Sequence, residues 1–215
     1  MIREGQLGRV LSVTKGLKIL RWEWFYREDL QDEFVTDVID LDKIVADLSH
    51  VRDTLIDLSI SAISERHRAE PELPPLKMKG SWEPITGFDK LRRLEVPLPF
   101  LVGYTPGITK RLEDGMPRNI EFLTITDDLY EQEEYEWPTV DLDLLEAIRS
   151  WLGNWRSSTP HLRGIRLLLR KMDAEWGPPM RYQLRELCAQ AGIQVEITKF
   201  ARDLGWKGFT IPDSN

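Results

Sequence analysis

Cysteine is almost absent from this sequence. Cys188 stands alone, so no disulfide can close within the chain, and a secreted framework of bridges is excluded. Histidine is scarce as well: His50, His67 and His161 lie far apart and no two have metal-ligand spacing, so no metal site is expected. No apolar run approaches the roughly 18 residues that a transmembrane helix needs. The first residues, Met1-Ile2-Arg3-Glu4-Gly5, lack the apolar stretch of a secretory signal. There is no Gly-rich phosphate loop and no dinucleotide fingerprint, and Gly80-Ser81-Trp82 lacks the second half of a serine-hydrolase elbow. These absences point to a cytoplasmic or nuclear protein with no cofactor and no membrane partner.

What is present describes a folded chain. Hydrophobic residues make up 41% and charged residues 30% of 215 positions, enough for one sizeable core and short for two conventional domains. One domain over residues 1–215 is expected. The formal net charge is −7, which repels phosphate backbones; nucleic acid is not an expected partner, although a local basic strip is compatible with that balance.

One short pattern returns along the chain: apolar, two variable residues, apolar, one variable residue, apolar. It reads Leu17-Lys18-Ile19-Leu20-Arg21-Trp22, then Leu55-Ile56-Asp57-Leu58-Ser59-Ile60 and Leu91-Arg92-Arg93-Leu94-Glu95-Val96. Ile120-Glu121-Phe122-Leu123-Thr124-Ile125 and Leu162-Arg163-Gly164-Ile165-Arg166-Leu167 follow, and Ile193-Gln194-Val195-Glu196-Ile197 keeps the final alternation. The alternation is what a short strand with one buried face requires. Successive hexads begin 38, 36, 29 and 42 residues apart, at or beyond the upper end of leucine-rich repeats, which run about 20 to 29 residues. The excess belongs in the connections.

The connections carry helical signals. Leu41, Ile44, Val45 and Leu48 share one helical face, with Asp40 placed as N-cap. Leu144, Leu145, Ile148, Trp151, Leu152 and Trp155 form a broader stripe of the same period. Met180, Leu184, Leu187, Cys188 and Ala191 make a third helix, begun after Gly177-Pro178-Pro179 and closed by Gly192. Cys188 reads there as a small core residue. Strand alternating with helix is the parallel βα unit, and units that cannot bury their apolar side alone must stack. The expected fold is therefore α/β: an irregular leucine-rich-repeat solenoid with short parallel strands on the inner face and helices outside. Two proline- or acid-rich stretches, 65–87 and 126–138, interrupt the pattern and read as long surface loops, a setting for either function or disorder.

These hexads, with Gly16 to Trp24, Phe88 to Val96, Ile120 to Asp128 and Thr159-Pro160-His161-Leu162, resemble the leucine-rich-repeat region of fungal F-box-type proteins. The likeness runs from about Leu11 to Lys199. It implies a surface that captures a substrate protein. In that family a helical F-box at the N-terminus docks onto a ubiquitin-ligase adaptor; here a repeat begins within the first twenty residues, so no F-box is expected.

In such a solenoid the variable strand residues line the inner face: Arg21 and Glu23, Asp57 and Ser59, Arg93 and Glu95, Phe122 and Thr124, Arg166 and Leu168, Gln194 and Glu196. Among them Arg21, Arg93 and Arg166 with Glu23, Glu95 and Glu196 make a mixed-charge surface suited to a protein or peptide partner. The same residues equally solvate a sheet face and pair across strands. Trp82 and Trp137, in the two long stretches, serve either as exposed partner anchors or as pins holding their own loops. Asp127 and Asp128 are the best catalytic candidates, because neighbouring carboxylates split their pKa values and can supply an acid and a base. That alternative would make the chain an isomerase- or cyclase-like enzyme acting on a small molecule in an apolar pocket; the turn-forming role of Asp competes with it.

Overall fold

The structure, a computed structural model, describes residues 5–27, 38–65, 76–103, 111–129, 140–170 and 176–199. Each hexad supplies a strand that begins at or next to its third residue: β1 (Ile19–Arg27), β3 (Asp57–Glu65), β5 (Arg93–Pro97), β6 (Phe122–Thr126), β7 (Gly164–Leu169) and β8 (Gln194–Lys199). These six form one sheet in the order β1-β3-β5-β6-β7-β8, every pair parallel. Each hexad thus lies beside the next hexad of the sequence. Two further short strands, β2 (Val38–Asp40) and β4 (Lys77–Lys79), pair with each other in parallel as a separate ribbon.

The register explains the pattern. The fourth position of the hexad aligns across the sheet as Leu20, Leu58, Leu94, Leu123, Ile165 and Val195, and the sixth as Trp22, Ile60, Val96, Ile125, Leu167 and Ile197 where the ladders extend that far. These rows face one side, because successive strand residues alternate faces. The first position does not belong to the strand. Leu55, Leu91, Ile120 and Leu162 sit in the turn before it and are buried, plugging the end of the core.

The helices lie on the apolar side. Helix α2 (Leu41–Leu48) starts where Asp40 caps it, its carboxylate accepting the Lys43 N–H at 3.2 Å, and buries Leu41, Ile44, Val45 and Leu48. Helix α6 (Pro178–Ala191) ends at Gly192, whose φ of 73° is the left-handed turn that glycine adopts without a Cβ penalty. The stripe expected from residues 144 to 155 is split between α4 (Val140–Gly153) and α5 (Trp155–Ser158). The helical residues share one hydrophobic core with Leu58, Val96, Ile125 and Leu167 of the sheet. Two shorter helices complete the set, α1 (Leu7–Leu11) and α3 (Leu98–Val102), the latter buried along its whole length.

Residues 76–87 are more ordered than an open loop. They contain β4 and a 3₁₀ turn over Glu83–Gly87, and bury Leu76, Trp82 and Ile85. Thr126 closes β6, and Asp127 to Leu129 are buried behind it. Residues 66–75 and 130–138 of the two expected loops lie outside the described residues, as do Trp137 and His67.

Candidate functional site

The face of the sheet opposite the helices is polar, and its composition follows from the register. The third hexad position aligns as Ile19, Asp57, Arg93, Phe122, Gly164 and Gln194. The fifth aligns as Arg21, Ser59, Glu95, Thr124, Arg166 and Glu196. Arg21 therefore stands beside Ser59 rather than Asp57, and Arg166 beside Thr124. The register thus follows the hexads position for position, fifth beside fifth across the sheet. Leu168 belongs one row further, opposite Thr126.

These rows line a partly open cavity of about 280 Å³ over the first half of the strands, formed by Ile19, Arg21, Asp57, Ser59, Arg93, Leu94, Glu95, Phe122, Thr124 and Arg166. Its polar groups are cross-linked. Ser59 Oγ donates to Glu95 Oε1 at 2.8 Å. The Arg93 guanidinium lies 3.9 Å from Asp57 Oδ2 and 5.8 Å from the centre of the Phe122 ring, within cation–π range. Burial pushes the Asp57 carboxyl up from the ordinary range; Arg93 and Arg21 pull it down, and Glu95 adds to the rise. Arg166 donates from both Nε and Nη2 to Glu196 Oε2, at 2.8 and 2.7 Å.

The expected site residues therefore separate. Arg21, Glu23 and Arg93 are exposed, and Glu95 and Glu196 half-buried, all on this face. Arg166 is on it too, but with a side chain only 9% exposed and committed to Glu196. Trp82 is not an exposed anchor. It is 2% exposed, 5.6 Å from the Phe100 ring, and its indole edge crowds Gly115. The apolar pocket around it holds a ring of this chain, which is the pinning role weighed for it from the sequence. Ile19, 56% exposed at the cavity edge, is the lining residue that strand alternation alone does not single out. Its signal is its place as third residue of the first hexad.

Asp127 and Asp128 sit at the opposite end of the sheet and do not line the cavity. Asp127 accepts the Arg170 backbone N–H with both carboxylate oxygens at 2.8 Å. Asp128 accepts the Ala62 N–H at 3.1 Å and faces Arg170 Nε at 3.4 Å. Helix α3 takes the chain away from the sheet after Pro97, so β5 offers no carbonyl at the level of Ala62, and the Asp128 carboxylate serves the N–H instead. Burial lifts its carboxyl to about 6, against the pull of Arg170, Ala62 N–H and Thr126, with Asp127 pushing further up. Both carboxylates are thus engaged as turn and strand-end acceptors. Leu129, next in the chain, is buried with φ of 71°, a left-handed conformation unusual for a branched side chain.

Cys188 is fully buried in the core, and burial pushes its thiol up to about 11, far from a reactive thiolate. Among the described residues no three His, Cys, Asp or Glu side chains group as a metal site, and no helix is long and apolar enough to cross a membrane. No protein-family model matches the chain, and no curated protein or solved structure is similar to it at a significant level.

Proposed function

We propose that this chain is a protein- or peptide-recognition module, an irregular solenoid of the leucine-rich-repeat kind whose polar sheet face holds the partner. One observation carries the reading: consecutive hexads become consecutive parallel strands, so the variable positions of every repeat converge on one open, cross-linked face. The described helices stay on the other side of the sheet. The residues on the face supply guanidinium donors, carboxylate acceptors, hydroxyls and one aromatic surface, a set suited to side chains and backbone of a polypeptide. A substrate-recognition role in the cytoplasm or nucleus is the form that the likeness to fungal F-box-type repeats gives this reading. The carboxylate pair at the far end of the sheet contributes acceptors for backbone N–H groups, so acid–base catalysis is not part of it.

The test is affinity purification of the full-length gene product from its native host, with wild type and an Arg21→Glu/Arg93→Glu variant run in parallel. Both positions are exposed but face the buried Asp57 carboxylate, so the variant's melting temperature and circular dichroism spectrum are measured alongside the capture. Arg166 is left alone, because a carboxylate in its place would be buried beside Glu196. Partners enriched by the wild type should be lost by the folded variant. An identical set of partners on both would sink the proposal.

A further inference from the structure

The turns that precede the strands form a row of their own. Ile56 N–H donates to Lys18 O, Arg92 N–H to Ile56 O, Glu121 N–H to Arg92 O, and Arg163 N–H to Glu121 O, each at 2.7–2.9 Å. Backbone bonds therefore place residues 18, 56, 92, 121 and 163 side by side along the leading rim of the sheet, next to the mouth of the cavity, whose lining begins one residue later. The rim is basic. Lys15 and Lys18 precede β1, Lys90 and Arg92 precede β5, Arg118 precedes β6 and Arg163 precedes β7, all exposed. Asp89 and Glu121 oppose them, while Arg52 and Asp53 pair with each other at 3.4 Å. Glu121 is held between Arg92 and Arg163, the latter at 3.7 Å, and the two arginine side chains remain 61% and 69% exposed. A positive rim on a chain of net charge −7 is a local concentration against the overall balance.

We infer that this rim docks an acidic segment of a partner protein, lying across the strand starts and leading into the cavity. The inference rests on the recognition reading above and names the chemistry of the partner. Strands about 4.8 Å apart put Lys18 and Arg163 roughly 19 Å from each other, the length of about six extended residues. Arginine and lysine side chains match carboxylates along such a segment. Ile19, exposed and lining the same cavity as the Arg93–Phe122 pair, offers an apolar contact that a polypeptide can use and a bare phosphate chain cannot. The overall negative charge disfavours a long polyanion such as nucleic acid, whose phosphates extend far beyond the rim.

Fluorescence anisotropy with a labelled Glu-rich synthetic peptide tests this on the full chain. Binding should appear at low salt, weaken as salt rises, and be absent for a Lys-rich peptide of the same length. Lys18→Glu/Arg92→Glu/Arg163→Glu should weaken it by roughly tenfold or more, with an unchanged circular dichroism spectrum. Glu121→Gln removes the opposing charge and should tighten binding, an outcome that misfolding cannot mimic. Peptide affinity unmoved by the triple variant and by Glu121→Gln would overturn the inference. So would an oligothymidylate or a phosphatidylserine vesicle that binds more tightly and displaces the peptide. If the rim variant keeps the natural partner while Arg21→Glu/Arg93→Glu loses it, the rim inference falls and recognition by the polar face stands.

Discussion

Asp128 is where a single side chain couples this fold to pH. Its carboxyl titrates near 6 in the native state and about 3.9 in an unfolded chain. Between those values the folded protein binds more protons than the unfolded one, so this group's contribution to stability falls as pH rises from about 4 to about 6 and then levels. Asp128→Asn keeps an acceptor for Ala62 N–H and removes the titration. The stability of wild type relative to this variant, followed by thermal melts, should therefore decline across that window; a difference independent of pH would show that Asp128 ionises normally. Trp82 makes a contrasting case. Its ring is buried against Phe100, so Trp82→Ala should cost about 3–5 kcal/mol of stability. Partner binding by the fraction that stays folded should be unchanged. Loss of binding from a variant with an intact melting temperature would restore Trp82 as an anchor.

At the scale of elements, the strands are defined by their fourth and sixth hexad positions. Leu58 and Leu123 are fully buried in adjoining parts of one core. Truncating either to Ala should destabilise by about 2–5 kcal/mol in denaturant titrations, and unaltered midpoints would place these residues outside the core. The strands were legible because the period of two and the apolar alternation survive in every hexad. The helix over 41–48 was legible because its cap, its stripe and its end are all local signals. The split between α4 and α5 and the order within 76–87 were not, since both depend on tertiary packing: Trp155 and Trp82 are each buried in pockets that other segments build.

Across the whole molecule, each strand of the six-stranded sheet pairs only with the strands of the preceding and following hexads. Stability should then be graded along the stack rather than uniform. β6 is buried at every residue, whereas β8, at the end of the sheet, has Val195 and Ile197 only half-buried. Native-state hydrogen exchange should show protection highest in β6 and its neighbours and lowest in β8. Equal protection throughout would indicate a single cooperative unit.

Short-range period and propensity are enough to fix the α/β class, the strands of the main sheet and which residues alternate toward solvent. Tertiary structure decided what those residues meet. The burial of Arg166 against Glu196 and the gathering of separate turns into one basic rim depend on which strands become neighbours in the sheet, a long-range quantity that no local pattern contains. The Asp127–Asp128 pair illustrates the same division. Two adjacent carboxylates are visible in the chain, but their backbone partners, Arg170 and Ala62, lie 43 and 66 residues away; only packing brings them within hydrogen-bond reach.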